Sequence, residues 1–261
     1  MMGSSDRSGC RVSNYSRRQI LLAASALLTG CSLPRRWSSG PAAPPPGPVV
    51  VRPPGASQWW RYAKRDGWSG KLLDVELDRI AEIDNTVIIS RFSEGVPGQE
   101  DAIAKKWYQH APRPPHELPP EVQQPWGQVL VDPHWDLVQA YATAIPLWPP
   151  ELQAEGRQVF NVTYQTSTAS GPMTWLQTMI ARGWERIHVP AGDFTALRYT
   201  NDIVFEHTDY ARWQSVRTET LWLAPEVGRW VARKSEGTYW GTPGPYPINE
   251  DSLRWELTEW A

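Results

Sequence analysis

Between Lys71 and Asp84 the chain alternates. Leu73, Val75, Leu77, Ala81 and Ile83 are apolar at odd positions, with Arg79 the exception. Asp74, Glu76, Asp78, Glu82 and Asp84 are acidic at even positions. A period of two is the period of an extended strand, whose successive side chains point to opposite faces. The run therefore predicts a strand with its apolar face in the core and its acidic face in water. Asp84-Asn85 supplies a turn, and Thr86 to Phe92 reads as a second strand. The same period returns at Phe160, Val162 and Tyr164, and at Glu185, Ile187 and Val189 with Trp184, Arg186 and His188 opposite. It returns again at Val216, Thr218, Thr220 and Trp222 against Arg217 and Glu219, and at Leu253, Trp255 and Leu257 against Arg254, Glu256 and Thr258. Gly, Pro, Asn and Asp separate the runs. One-sided alternation marks antiparallel sheets wet on one face, so the expected class is mainly β. Helical patterning is thin: Gln99 to Gln109 has room for about three turns. Residues 112–125 contain six prolines and are expected to be loop, part of an insertion over about 95–126 on the rim of the sheet.

The first thirty residues read differently. Arg17-Arg18 precede an apolar run from Ile20 to Leu28, which ends in Leu28-Thr29-Gly30-Cys31. The run is far shorter than the roughly 20 apolar residues that span a bilayer and fits the h-region of a secretory signal. The last four residues resemble the lipobox of bacterial lipoproteins, which implies acylation of Cys31 and removal of residues 1–30. More than one acyl chain holds a protein firmly at a membrane, so the membrane is an expected partner through this anchor. Ser16-Arg17-Arg18-Gln19-Ile20-Leu21 also resembles a twin-arginine export signal; an ordinary basic n-region is the alternative. Ser32, where inner-membrane retention calls for Asp, implies the outer membrane, facing the periplasm.

Residues 31–56 follow as a lipidated cysteine and a linker. Residues 34–56 hold eight prolines among Gly, Ala and Ser, which predicts a disordered, proline-rich tether reaching at most about 70 Å at about 3.1 Å per residue. The folded domain is then 57–261. The cysteines are Cys10 and Cys31, one removed and one lipidated, so the mature chain has no disulfide and relies on its core. From Cys31 onward there are 22 Lys and Arg against 27 Asp and Glu, a net charge of −5. Nucleic acid demands a basic footprint and is not an expected partner.

Two segments carry a resemblance. Val189-Pro190-Ala191-Gly192-Asp193-Phe194 is turn chemistry between strands, Pro190 fixing φ and Gly192 permitting a positive one. Trp222-Leu223-Ala224-Pro225-Glu226-Val227-Gly228 ends one strand and leads into the next at Arg229. With Ile145-Pro146-Leu147 and Gly183-Trp184-Glu185, this resembles the uncharacterised bacterial periplasmic β-sheet proteins that share a VPAGxF … WxAPxVG pattern, over about residues 145–240. The resemblance implies a curved antiparallel sheet or an open half-barrel. It implies no catalytic residues.

Motifs for chemistry are sparse. The five histidines form no His-x-x-x-His pair, and there is no Cys-x-x-Cys pair. No nucleophile elbow, phosphate loop or dinucleotide fingerprint occurs, and no metal or cofactor is expected. Asp132, His134 and Asp136 are close enough in sequence to share a metal or position a base; a capped turn in water is the plainer reading. Sixteen tryptophans, all after Cys31, stand against four phenylalanines. Trp107, Trp126, Trp135 and Trp148, with Tyr108, fall in the loop-rich region. They are the candidate ligand contacts, as rings that stack on sugar faces or greasy ligands, unless they simply cover the core. The expected function is a non-catalytic, lipid-anchored binding or scaffolding module for a hydrophobic ligand or an envelope protein, held on a concave apolar face. A carbohydrate- or peptidoglycan-binding lipoprotein is the second reading. An envelope hydrolase around Asp132, His134 and Asp136 is the third.

Overall fold

The computed structural model of the chain describes residues 37–96, 115–135, 137–152, 156–241, 244 and 246–261. Cys31, Trp107, Asp136 and the helix expected over Gln99 to Gln109 lie outside these residues. Thirteen strands are present: β1 (Ser38–Pro41), β2 (Trp59–Asp66), β3 (Leu72–Ile83), β4 (Val87–Ser93), β5 (His116–Gln123), β6 (Gln128–Asp132), β7 (Gln139–Pro146), β8 (Arg157–Gln165), β9 (Met173–Val189), β10 (Gly192–Phe205), β11 (Arg212–Ala224), β12 (Arg229–Gly241) and β13 (Pro247–Trp260). No helix occurs among the described residues.

Strands β2 to β13 pair with their sequence neighbours, always antiparallel, and β13 then pairs with β2. The ring is closed: twelve strands form a barrel, not the curved sheet or open half-barrel that was expected. Alternation along one strand cannot distinguish these, because closure depends on the pairing of Trp255 with Lys64 and Leu257 with Tyr62, almost the whole domain apart in sequence. Twelve strands enclose more width than the eight whose side chains just fill a barrel. The large residue types fill it. Trp60, Trp175, Trp230, Trp255, Tyr62, Tyr199 and Arg229 are among the biggest fully buried side chains.

The turns behave as their residues dictate. Pro190-Ala191 and Gly192 (φ 137°) close the β9–β10 hairpin, where Gly192 pairs with Val189. Gly228 (φ 76°) closes β11–β12, its N–H donating to the carbonyls of Ala224 and Pro225. The proline-rich stretch 112–125 is not all loop. His116–Gln123 is a full strand of the barrel, and Pro119-Pro120 fall where the register with β4 slips between Ile89 and Arg91. A bulge is where a central strand tolerates proline, since no ladder N–H is required there.

The expected tether is, from Trp37 on, laid against the barrel. β1 pairs with the last turn-proximal part of β9, Ser38 opposite His188 and Pro41 opposite Glu185, beyond the stretch of β9 that β8 covers. Trp37 packs on Trp222 with ring centroids 5.0 Å apart. The Arg52 N–H donates to Pro225 O, and Trp126 Nε1 donates to Arg52 O. These contacts give proline-rich chain the apolar and hydrogen-bonding partners that its own composition lacks, so residues 37–56 form a strap and add no reach.

The barrel has two unlike ends. The β3–β4, β5–β6, β7–β8, β9–β10 and β11–β12 turns gather at the strap end. Val227, Trp60, Trp230 and the half-buried Trp126 and Trp148 plug it. The β2–β3, β6–β7, β10–β11 and β12–β13 connections surround the other end, the mouth.

Candidate functional site

The acidic face of β3 is not wet. Asp74, Glu76 and Asp78 point into the barrel opposite Lys64, Tyr62 and Trp60 of β2, and Glu76 and Asp78 are only 3% and 1% exposed. The same inversion holds on β11, where Arg217 and Glu219 face inward and Trp222 outward under the strap. A lone buried charge is prohibitively costly, so such groups survive only as hydrogen-bonded pairs. They form a chain through the barrel. Arg229, with no exposure, reaches Asp78 at 3.1 Å and Glu121 at 2.7 Å, with Trp60 and Trp230 rings against its guanidinium. Arg91 joins Asp78 (3.2 Å) to Glu76 (2.8 Å), and Glu76 also takes Lys64 at 3.1 Å and the Trp255 indole at 3.1 Å. Arg233 holds Glu219. Nearer the mouth, Arg217 grips Asp251 through both terminal nitrogens (2.7 and 3.1 Å), touches Glu250 at 3.0 Å and lies over the Trp135 ring.

These partners set the charge states. Burial alone would raise the Glu76 carboxyl, but Lys64 and Arg91 hold it at about 2. Burial likewise opposes the charge on Glu121, and Arg229 and His134 bring its pKa below the ordinary value. The buried Asp132 carboxyl is lowered by its hydrogen bond from His134. His134 is pushed below its usual value by burial and by Arg91, against the pull of Asp132.

Asp132 and His134 are thus brought together from the end of β6 and the turn after it. His134 Nδ1 lies 2.9 Å from Asp132 Oδ1, the same oxygen accepts the His134 backbone N–H at 2.9 Å, and Asp132 Oδ2 accepts the Trp135 indole N–H at 2.9 Å. Three donors fix the carboxylate, and the carboxylate in turn fixes the imidazole with Nδ1 protonated and the lone pair on Nε2. Nε2 is buried without a hydrogen-bond partner.

Two cavities meet at this point. An inner one of about 40 Å³ is lined by Glu121, Asp132, Gln177, Asn201, Glu219 and Arg233 among others. The mouth holds one of about 500 Å³, lined by Lys64, Asp74, Glu76, Arg91, Arg217, Glu250 and Asp251 with His116 and Leu118. His134 and Trp135 line both and form the partition. Arg217 adds a second buried orphan to the mouth, its Nε donor.

The tryptophans singled out from the sequence separate. Trp135 stands in the mouth wall, edge-on to Trp175 at 5.3 Å. Trp126 stacks with Trp60 at 6.4 Å, and Trp148 meets Trp126 edge-on at 5.9 Å, both at the opposite, strap end. Lys64, Glu76, Arg91, Arg217, Glu250 and Asp251 carried no motif. The signal they did leave is an alternation whose charged face is as regular as its apolar one.

No protein-family model matches the chain, and no curated protein matches it. Among solved structures it is similar to a "putative lipoprotein" from Parabacteroides distasonis ATCC 8503, at 12% identity and a TM-score of 0.44. It is also similar to a "putative exported protein with YmcC-like fold" from Bacteroides fragilis NCTC 9343, at 9% identity and 0.43. Each likeness covers 82% of this chain and 99% of the other.

Proposed function

We propose that this chain is a lipid-anchored module of the bacterial cell envelope that binds a polar, saccharide-class ligand in the mouth of its barrel. The observation that carries this reading is the 500 Å³ cavity, walled by both donors and acceptors and holding two buried orphans, the His134 Nε2 acceptor and the Arg217 Nε donor. Pockets of this size suit small ligands, and a hydroxyl-rich one offers both a donor and an acceptor at each group. Leu73, Leu118, Val138 and Leu253 line the same cavity beside the charges, and it is the charges that favour a polar ligand over the hydrophobic one that was expected. Exposed rings on the hairpins beside the mouth, Tyr210, Trp213, Trp240 and Tyr246, add faces on which sugars stack.

Acylation at Cys31 and an outer-membrane, periplasm-facing location belong to the same proposal, as does membership of the periplasmic β-sheet family with the VPAGxF pattern. The outer wall agrees with anchoring in place of insertion: Arg79, Arg182 and Arg186 are exposed on it, where a membrane barrel carries an apolar band.

The test is calorimetric titration of the full chain with soluble peptidoglycan fragments and, separately, with a long-chain fatty acid. Saccharide binding weakened at least tenfold by Arg217→Ala is the expected result. Fatty-acid binding without saccharide binding would overturn the proposal.

A further inference from the structure

A buried polar atom without a partner is uncommon and calls for a role, because it gives up its bonds to water and gains none in return. His134 Nε2 is such an atom, and its surroundings are built. Asp132 orients the ring through Nδ1 at 2.9 Å and is itself held by two further donors. Trp230 meets the ring edge-on at 6.2 Å. The ring lies in the partition between the mouth and an inner cavity large enough for water. A carboxylate that fixes an imidazole with its other nitrogen free is the arrangement of a general base. We propose that His134 and Asp132 form a general-base pair that activates water to cleave acyl esters carried by a saccharide bound in the mouth. This rests on the saccharide reading of the same cavity.

The surrounding chemistry selects the ester. Glu76, Glu121 and Asp132, the described carboxyl groups that interact with His134, are all held as carboxylates, and Asp74, raised by burial, is engaged by Ser93 and the N–H groups of Val75 and Gly95, so none of them is free to supply the acid that a glycosidic oxygen requires. Lys64, Arg91 and Arg229 are already spent on Glu76 and Glu121, which leaves them little to offer a phosphate ester. An acyl ester is uncharged. As the water oxygen bonds to the acyl carbon, the water's proton passes to His134 Nε2 and the carbonyl pair moves onto its oxygen. Arg217 Nε, the orphan donor of this cavity, is the type of group that receives that charge. The pair then re-forms the carbonyl, the bond from acyl carbon to saccharide oxygen breaks, and the imidazolium returns its proton to that oxygen. A carboxylic acid and a free hydroxyl leave. His134 is the catalytic residue and Asp132 a positioning residue.

The experiment measures acetate released from O-acetylated peptidoglycan fragments by the full chain, alongside calorimetric binding of the same fragments. Release is expected, with His134→Ala lowering it 10²- to 10⁴-fold while binding stays within threefold. Among the described residues, the charged groups that act on the ring are Asp132, Glu121, Glu76, Arg91 and Arg233. With the ring held neutral among them, the rate should rise with pH to a plateau, with its half-maximal point below 6.5. Asp132→Asn, which keeps the shape of the site, should lower the rate and alter this profile, whereas a structural role alone would leave the profile in place. Binding without release, or release indifferent to both substitutions, overturns the inference and leaves the binding proposal standing. Neither binding nor release overturns both. If His134→Ala does not fold, Asp132→Asn and the wild-type profile decide the matter.

Discussion

Arg229 is the residue on which the interior depends most. It is buried completely and holds two carboxylates from different strands, Asp78 of β3 and Glu121 of β5. Its removal leaves Glu121 without its cation and Asp78 with Arg91 alone, and breaking a buried pair from one side costs about 3–5 kcal/mol. Arg229→Met should lose stability on that scale in urea denaturation; a loss below about 1 kcal/mol would mean that Arg91 alone suffices. Acid should act through the same groups. Glu76 titrates at about 2 in the native chain against 4.5 ordinarily. As pH falls, the unfolded chain takes up its proton first, so the stability from Glu76 is complete above about 4.5 and drains toward 2. Glu121 and Asp132, also lowered, act in the same direction. His134 lies below its usual 6.5, so below that pH the unfolded imidazole gains a proton that the native one refuses. That contribution also falls with falling pH, but begins earlier. Denaturation midpoints should be flat above pH 7, decline gently from about 6.5, and fall steeply below about 4.5. His134→Ala should remove the gentle part and keep the steep one; a profile unchanged by the substitution would show that His134 titrates normally. The sequence showed where these charges alternate but not which way they face. Glu76 and Asp78 read as a wet face because pairing with Arg91 and Arg229, from strands β4 and β12, leaves no local trace. Leu253, Trp255 and Leu257 were read correctly because apolar residues need no distant partner to be buried.

At the scale of elements, the strands were legible and their closure was not. Every alternating run became a strand, and both turn motifs became hairpins. β5 was missed because its prolines argued for loop, and the register slip that accommodates them is a property of the pair β4–β5. The strap was missed for the same kind of reason. Its residues have no periodicity, and its order comes from Trp222, Trp126 and the β11–β12 turn. Gly228 is the point of closest approach there: a Cβ would lie 2.9 Å from Arg52 O, at a φ of +76°. Gly228→Ala should therefore cost about 1–3 kcal/mol through backbone strain and push the strap away. Limited proteolysis should then cut faster within residues 42–56 while the barrel core stays resistant. Unchanged cleavage would mean that β1 and Trp37 hold the strap without Arg52. The candidate site was half legible on this scale, since Asp132 and His134 are neighbours in sequence. The mouth they open into is assembled from β2, β3, β4, β5, β11 and β13.

For the whole molecule, the pairing of β2 with β13 has a consequence in time. Each pairing from β2–β3 to β12–β13 can form hairpin by hairpin, whereas β2–β13 joins strands far apart in sequence. β2 keeps an open edge until β13 arrives, and an open edge is a template for pairing with other chains. Closing a loop of nearly two hundred residues is also slow, because its entropy must be spent before the pairing rewards it. A chain stopped short of Pro247 would carry two permanent edges, on β2 and on β12, and should be recovered as aggregate by size-exclusion chromatography where the full chain elutes as a discrete species; a discrete, protease-resistant truncation would show that the ring need not close. β13 is thus the latch of the barrel, and a nascent chain stays sticky until the fourteen residues of that strand have been delivered.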